Sequence, residues 1–277
     1  MKRIVFLLCA ICSWHIGSAQ QLKAPAPSPA QYLKQDFGLG SIEVNYSRPS
    51  KKGRTIFGDL VPYGKVWRTG ANSATTIQFT DDVIIGGVAV KPGKYGLLTI
   101  PGTSEWIFII SKQTDVTSPS EYKQEEDVVR VNASVKALKE TVESFTIEVA
   151  NMAATSCELN VSWENTGVTL PIKTEIDSRV MKQIEQVLIK DNRPYFSGAA
   201  YYIDNGKDLN QAVIWLDKSI ANNPKAYWVH YRKAIALQKL GKKKEAAEAA
   251  QKSLELATEE QDDTYIQHNK KLLDSLK

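Results

Sequence analysis

The hydrophobic periodicity of this 277-residue chain changes once, close to Pro171. Before that point apolar and polar side chains alternate in about ten short runs, as at Ile42, Val44 and Tyr46. Such alternation, interrupted by frequent turn residues, predicts antiparallel strands with one buried face. After that point apolar side chains recur with the helical period of about 3.6 residues. We therefore predict a multidomain β + α chain, in which an N-terminal antiparallel β-sandwich or open barrel precedes a C-terminal α-helical repeat.

Individual strands of the β half are marked by their turns and by their inward positions. Gly86-Gly87 separates two valine- and isoleucine-rich runs, at 83–85 and 88–90, and therefore predicts a two-residue hairpin turn. Two later runs, 157–163 and 168–172, each alternate and are expected to form separate strands.

The helical half contains an internal repeat of 34 residues. Five small or apolar side chains recur at that spacing, namely Ala200, Ile203, Ala212, Ser219 and Ile220, which return as Ala234, Leu237, Ala246, Ser253 and Leu254. This period, with small residues where helices cross, resembles tetratricopeptide repeats. Two such units seldom suffice for stability, so we expect helices at 175–190 and 264–276 to act as caps. Asn192-Arg193-Pro194 is expected to end the first of these helices.

The first 19 residues have the pattern of a secretory signal peptide. Lys2 and Arg3 precede a mostly apolar run, and Gly17-Ser18-Ala19 supplies the small residues of a cleavage site before Gln20. The sequence thus predicts an exported protein, periplasmic or extracellular, with no transmembrane segment in the mature chain. The predicted order is a signal peptide at 1–19, a Pro-rich linker at 20–37, the β domain at 38–172 and the helical repeat domain at 173–277.

The composition argues against several functional classes. The formal net charge of +4 falls to +2 without Lys2 and Arg3, which is a weak field for a nucleic-acid binder. Cys157 is then the one remaining cysteine, and its inward strand position predicts a buried apolar residue. Both remaining histidines, His230 and His268, fall in the helical half, which argues against Ser-His or Cys-His catalysis and against a zinc site. We predict no metal, no cofactor and no nucleic-acid partner.

Segment 46–72 is the most distinctive stretch of the β half. It carries six basic side chains and one acidic one, interleaved with four aromatic rings and with glycines and prolines that predict a structured loop. Guanidinium groups suit carboxylates and phosphates, whereas aromatic faces suit sugars or cations. One interpretation is a ligand site formed by Tyr46, Arg48, Arg54, Tyr63, Trp67, Arg68 and Asn72. The alternative is a packed loop whose aromatic rings fill one end of the core while Arg and Tyr bind the backbone.

Several blocks of this segment are similar to a known family. They are SRPS at 47–50, GRTIFG at 53–58, LVPYG at 60–64 and WRTGAN at 67–72, followed by TTIQF at 75–79 and by residues 90–111. Through these blocks the chain resembles, over about residues 22–172, the bacterial secreted family called domain of unknown function 2911. The resemblance implies a secreted, β-rich domain with no established activity and no assigned catalytic residues. Some relatives resemble this chain in carrying a helical repeat extension.

Three hypotheses of function remain open. The first is an exported, non-catalytic binding or scaffold protein, with an anionic or carbohydrate-like ligand on the β domain and a protein or peptide on the helical repeat. The second is an envelope polysaccharide hydrolase or lyase, in which Glu43, Asp59, Glu105 or Glu164 would act beside arginine and tyrosine. The third is a purely structural protein. The sequence favours the first hypothesis, because its residue pattern contains no recognisable catalytic constellation.

Overall fold

A computed structural model describes residues 24–189 and 194–277. The signal peptide predicted at 1–19, the start of the predicted linker and the helix end predicted at Asn192-Arg193 lie outside these residues. Contacts divide the chain into two compact units, one up to Glu175 and one from Ile176, each with its own hydrophobic clusters. In the part of the chain that the structure describes, no helix is long and apolar enough to span a membrane.

The first unit consists, in its described residues, of ten antiparallel strands in two sheets. The strands are β1 (Ala30–Phe37), β2 (Gly40–Ser47), β3 (Thr76–Phe79), β4 (Val83–Ile85), β5 (Val88–Val90), β6 (Gly93–Ile100), β7 (Glu105–Ser111), β8 (Asp127–Ser134), β9 (Lys136–Ala150) and β10 (Ser156–Lys173). A six-stranded sheet has the order β1-β2-β3-β6-β7-β8, and a four-stranded sheet has the order β5-β4-β10-β9. The antiparallel pairing is as predicted, and within the described strands the sheets do not close into a barrel.

Strand β1 corrects the prediction that residues 20–37 are a linker. Its backbone pairs with β2, from Ala30 opposite Ser47 to Phe37 opposite Gly40. It is an edge strand, and one of its larger apolar side chains, Tyr32, is 60% exposed. Backbone pairing at a sheet edge needs little apolar alternation, so the hydrophobic pattern gives a weak signal for such a strand.

The runs 157–163 and 168–172 form one strand rather than two. β10 extends over 18 residues, and its register with β9 shifts around Glu164, whose φ is +55°. Along β10 the buried positions are odd-numbered up to Trp163 and even-numbered from Val168 onward, so the inward phase changes at this irregularity. Trp163 and Val168, an odd and an even position, therefore both belong to the core.

The hairpin predicted at Gly86-Gly87 is confirmed. β4 pairs with β5, with Ile85 opposite Val88, and the φ angles of Gly86 and Gly87 are +58° and +83°. Two positive φ angles match the type I′ turn, whose twist fits a two-residue hairpin. A Cβ atom on Gly86 would lie 2.6 Å from Val131 Cγ2, so this turn packs closely against β8.

Side chains from both sheets form one hydrophobic core in the first unit. Its largest fully buried members include Trp106, Trp163, Phe79, Phe108, Phe145, Ile42 and Ile77. Cys157 belongs to this core, as predicted, and burial raises the pKa of its thiol to about 11. A thiol with that pKa is protonated at neutral pH, so Cys157 is a packing residue.

The second unit consists, as far as it is described, of six α-helices. They are α1 (Asp177–Ile184), which continues into a π-helical turn (Glu185–Ile189), α2 (Tyr195–Asp204), α3 (Leu209–Asn222), α4 (Tyr227–Lys239), α5 (Lys243–Glu259) and α6 (Asp263–Leu276). From α2 onward each helix packs against the next. The connections between them are short, which is typical of antiparallel neighbours.

Two of the helices begin at the 34-residue spacing seen in the sequence. α3 begins at Leu209 and α5 begins at Lys243, 34 residues later. Ala212 on α3 and its counterpart Ala246 on α5 are both fully buried, and such small side chains let neighbouring helices approach closely. Helices also occupy both stretches that were expected to act as caps, at α1 and α6.

Candidate functional site

Segment 46–72 leaves β2 and reaches β3 as a structured loop. Gly58 and Gly64, with φ angles of +95° and +70°, adopt the left-handed conformation that glycine tolerates best. Two backbone hydrogen bonds join Trp67 to Thr99 on β6, with N···O distances of 2.7 and 2.9 Å. The second half of the segment is therefore fixed to the six-stranded sheet.

The indole of Trp67 lies against the aromatic part of the core. Its ring centroid is 5.1 Å from that of Phe145 and 6.1 Å from those of Phe57, Trp106 and Trp163. The Trp163 ring is nearly parallel to it, at 16°, and the other three rings meet it edge-on. Both arrangements are favourable between aromatic rings, so this packing fixes the backbone that carries the next residue, Arg68.

A cavity of about 270 Å³ opens beside this aromatic cluster. Its wall is formed by Ser28, Pro49, Arg54, Leu60, Val61, Trp67, Arg68, Gly70, Ala71 and Trp163. Three of the seven predicted site residues, Arg54, Trp67 and Arg68, therefore meet at one place. The wall, as far as it is described, contains two arginines and no carboxylate.

Both arginines of the wall bind backbone carbonyls with part of their guanidinium groups. Arg54 Nε and Nη2 donate to the carbonyls of Lys51 and Ser50, at 3.0 and 2.6 Å. Arg68 Nη1 donates to the carbonyl of Thr117, whereas its Nε is buried without an acceptor among the described residues. Arg54 Nη1 and Arg68 Nη2 also have no acceptor in the described chain. Each arginine therefore keeps donor capacity beyond its structural hydrogen bonds.

Thr69, next to Arg68, has a backbone conformation that β-branched residues rarely adopt. Its φ is +54°, and the residue is fully buried. Its hydroxyl lies 3.0 Å from Thr99 Oγ1, and its carbonyl accepts a hydrogen bond from Thr75 Oγ1 at 2.8 Å. Such conformations cost about 1–3 kcal/mol and persist where surrounding contacts enforce them, often at binding sites. The strain therefore favours a functional role for this part of the loop.

Two of the predicted site residues, Tyr46 and Arg48, bind β9 instead of lining this cavity. The buried Tyr46 hydroxyl accepts a hydrogen bond from the N–H of Ile147 at 2.9 Å, and burial raises the pKa of this phenol. Arg48 Nε donates to the carbonyl of Phe145 at 2.9 Å, and Nη2 donates to Thr146 Oγ1 at 2.7 Å. These contacts are of the kind that the packed-loop interpretation describes.

The remaining two predicted site residues, Tyr63 and Asn72, lie outside the cavity wall. Tyr63 is 43% exposed, and its ring lies against Gly58. Asn72 Nδ2 donates to the carbonyl of Ser28 at 3.0 Å. Ser28 is part of the wall, so Asn72 contacts the cavity wall through this hydrogen bond.

The four carboxylates considered for polysaccharide cleavage have separate surroundings. Glu43 pairs with Lys34 at 2.9 Å, Glu164 pairs with Lys51 at 3.4 Å, and Glu105 accepts from Asn132 at 2.9 Å. The hydrogen bond from Lys34 holds the pKa of Glu43 below its usual value. Asp59 is exposed on the loop. These four residues do not contribute to the wall that holds Arg54, Trp67 and Arg68.

The two histidines expected in the helical half lie on α4 and α6. His230 Nε2 lies 3.0 Å from the carbonyl oxygen of Pro224, and His268 stacks on Tyr231 with ring centroids 5.8 Å apart. Among the residues that the structure describes, no three His, Cys, Asp or Glu side chains are grouped in a way that could hold a metal ion.

Several wall residues were not singled out by the sequence. Trp163 comes from β10, and its sequence signal is only an inward position in an alternating run. Leu60 and Val61 belong to the LVPYG block, which marks the family resemblance and gives no indication of a cavity. Only the fold brings these side chains beside Arg68.

Comparison with known proteins gives one significant match. The model of a family described as "Protein of unknown function (DUF2911)" matches residues 28–172. Searches of the curated proteins and of the solved structures gave no significant match. The matched range includes all ten residues of the cavity wall and ends before the helical unit.

Proposed function

We propose that the β unit of this chain, which belongs to the DUF2911 family of proteins of unknown function, is a non-catalytic binding module for a small anionic or carbohydrate-like ligand. One observation carries this proposal: Arg54, Trp67 and Arg68, selected from the sequence as ligand contacts, line a single cavity. The strained backbone at Thr69 supports the same site, as do the terminal nitrogens of Arg54 and Arg68 that have no acceptor in the described chain.

The test compares a variant in the cavity wall with a matched variant outside it. Arg54 and Lys65 are both exposed cations of segment 46–72, but only Arg54 belongs to the wall. Small carboxylates, phosphates and monosaccharides are titrated into the purified chain by isothermal calorimetry. We expect at least one class to bind, with affinity reduced about tenfold by Arg54→Met and unchanged by Lys65→Met.

A variant that fills the cavity provides an independent check. Ala71 lies in the wall, and Ala71→Phe places a large ring where the ligand is proposed to bind. Loss of binding in a variant that melts like the parent chain supports the site. Binding that is unaffected by both Arg54→Met and Ala71→Phe places the ligand elsewhere and contradicts the proposal.

We propose further that the helical unit is a tetratricopeptide-like repeat that binds a protein or peptide. The 34-residue spacing of α3 and α5, with buried alanines at equivalent positions, supports a repeated unit. In an array of equivalent units, Ala212→Leu and Ala246→Leu should destabilise the helices to a similar extent, by about 1–3 kcal/mol through overpacking. The partly exposed Ala247 provides the control, since Ala247→Leu should have little effect. Clearly unequal effects at the two buried alanines contradict the repeat.

Export to the periplasm or the cell exterior is also part of the proposal. It is supported by the signal-peptide pattern at 1–19, with its small residues before Gln20. Intact-mass analysis of the protein recovered outside the cytoplasm should give a chain that begins at Gln20. Recovery of a chain that still carries residues 1–19, in the cytoplasm alone, contradicts export.

A further inference from the structure

We propose that the cavity beside Trp67 takes a compact carboxylate with an apolar body, and that it does not take a neutral sugar. This inference rests on the proposed function of the β unit as a ligand-binding module and narrows its ligand to one chemical class. Three properties of the cavity wall support this inference: its polar side chains are mainly hydrogen-bond donors, much of its surface is apolar, and its charged side chains are positive.

The side-chain polar groups of the wall are mainly donors. Arg54 and Arg68 have donors only, and each keeps a terminal nitrogen without an acceptor in the described chain. Within the described wall, Ser28 is the one side chain with an acceptor oxygen. A carboxylate accepts without donating and therefore matches this wall. The hydroxyls of a neutral sugar donate as well, and these side chains supply few acceptors for them.

The rest of the wall offers carbon surface. The indole N–H groups of Trp67 and Trp163 already donate to the carbonyls of Gly70 and Glu143, both at 3.1 Å. The two rings therefore present apolar surface, and aliphatic side chains extend it around the cavity. The volume of about 270 Å³ equals the share of about nine liquid waters, which suits a ligand smaller than a typical drug.

Two acidic side chains near the wall, Glu164 and Glu143, are engaged by other groups. The carboxylate of Glu164, beside Trp163, pairs with Lys51 at 3.4 Å and accepts a hydrogen bond from the N–H of Ile56 at 3.3 Å. The carboxylate of Glu143 accepts from the N–H of Lys52 at 2.8 Å. Segment 46–72 carries six bases and one acid, Asp59, and the described wall contains two arginines and no carboxylate, so the field at the wall favours an anion.

The experiment uses matched probes that differ in one property each. Phenylacetate carries the anion and the apolar ring, phenylacetamide keeps the ring without the charge, acetate keeps the charge without the ring, and methyl glucoside is the neutral sugar. Each is titrated by calorimetry into the full chain. We expect phenylacetate to bind about tenfold more tightly than each of the other three probes.

The variants place that binding in the cavity. Arg54→Met and Arg68→Met are each expected to weaken phenylacetate about tenfold, whereas Lys65→Met leaves it unchanged. The unfolding midpoint of each variant is measured in parallel, because Arg68 also binds the carbonyl of Thr117. If Arg68→Met does not fold, the affinity of Arg54→Met for phenylacetate is an independent test, because Arg54 is exposed.

The outcomes separate this inference from the proposed function. If phenylacetamide or methyl glucoside binds as tightly as phenylacetate and Arg54→Met still weakens it, the ligand class is wrong and the binding site stands. If phenylacetate binds but both arginine variants bind it like the parent chain, the ligand lies elsewhere and both ideas fail. If none of the four probes binds the parent chain, the carboxylate class is wrong, and the proposed function is then decided by the phosphates and monosaccharides of its own test.

Discussion

Arg48 joins segment 46–72 to β9 through two hydrogen bonds. Its guanidinium donates to the carbonyl of Phe145 at 2.9 Å and to Thr146 Oγ1 at 2.7 Å. Hydrogen bonds from a charged donor contribute about 1.5–3 kcal/mol, and less where solvent reaches them. We predict that Arg48→Met lowers the free energy of unfolding by about 1–3 kcal/mol in urea titrations, because two partly buried acceptors lose their donor.

Lys65→Met is the matched control for this prediction, since it also removes a cation of the segment. Lys65 is exposed, so its replacement should change the free energy of unfolding by no more than about 0.5 kcal/mol. A chain with Arg48→Met that is as stable as the parent but has lost ligand binding would show that Arg48 contacts the ligand.

The hydrogen-bond acceptors of the arginines explain why only part of the site was predictable from the sequence. The sequence placed seven residues in one site, and three of them line the cavity. Arg48 differs from Arg68 because the fold brings it the carbonyl of Phe145, which lies 97 residues later in the chain. Local spacing does not determine which distant carbonyl an arginine meets, so it does not separate a structural guanidinium from a ligand-binding one.

Glu121 stabilises the turn that contains Thr117, whose carbonyl accepts a hydrogen bond from Arg68. Its carboxylate accepts from the N–H and hydroxyl of Thr117, at 2.7 and 3.0 Å, and from the N–H of Ser118 at 3.0 Å. These hydrogen bonds, first that from the Thr117 N–H, hold the pKa of Glu121 below its ordinary value of 4.5. Its contribution to stability is therefore complete above that value and is lost as the pH falls through the folded-state pKa.

We predict that acidification loosens this turn before the rest of the β unit. Amide protection factors of Thr117 and Ser118, followed from about pH 6 to about pH 3, should fall on the acid side. In Glu121→Gln they should be lower throughout and nearly independent of pH. Protection that stays constant through this range in the parent chain would mean that the Glu121 carboxylate does not hold the turn.

At the scale of elements, the β4–β5 turn provides a comparison between two neighbouring glycines. Both have positive φ angles, which cost an L-residue about 1–2 kcal/mol. A Cβ atom on Gly86 would also lie 2.6 Å from Val131 Cγ2, whereas a Cβ atom on Gly87 meets nothing within 4 Å. We predict that Gly86→Ala lowers the unfolding free energy by at least about 1 kcal/mol more than Gly87→Ala does, measured by urea titration.

Gly87→Asn is the control in this series, because asparagine tolerates the left-handed conformation. It should be close to the parent chain in stability. Equal losses for Gly86→Ala and Gly87→Ala would show that the contact with β8 adds nothing to the cost of the turn conformation.

The elements that sequence patterns predicted are those with a strong local signal. The Gly-Gly turn and the inward alternation of 157–163 both correspond to observed structure. β1 was missed because an edge strand is held by backbone pairing. β10 was divided in two because the phase of the alternation changes at the irregularity around Glu164. Both wrong predictions, at β1 and at β10, depend on how strands pair, and hydrophobic periodicity contains no information about strand pairing.

At the scale of the whole molecule, each unit has its own hydrophobic clusters. The main cluster of the first unit draws its members from both sheets, and a smaller one is centred on Leu98 and Ile109 of the six-stranded sheet. The clusters of the second unit draw their members mainly from the helices. The family match at 28–172 and the cavity wall both fall within the first unit. A unit that has its own core and contains the whole proposed site should be able to fold and to bind by itself.

We therefore predict that residues 24–175 fold alone and bind phenylacetate with the affinity of the full chain, within about twofold. The fragment should give a cooperative unfolding transition, measured by near-ultraviolet circular dichroism of its buried tryptophans. The control is the same fragment with Arg54→Met, which should fold equally well and bind about tenfold more weakly. If the fragment folds cooperatively and yet fails to bind, the site requires residues beyond Glu175. If the fragment fails to fold, the β unit depends on the helices for its stability.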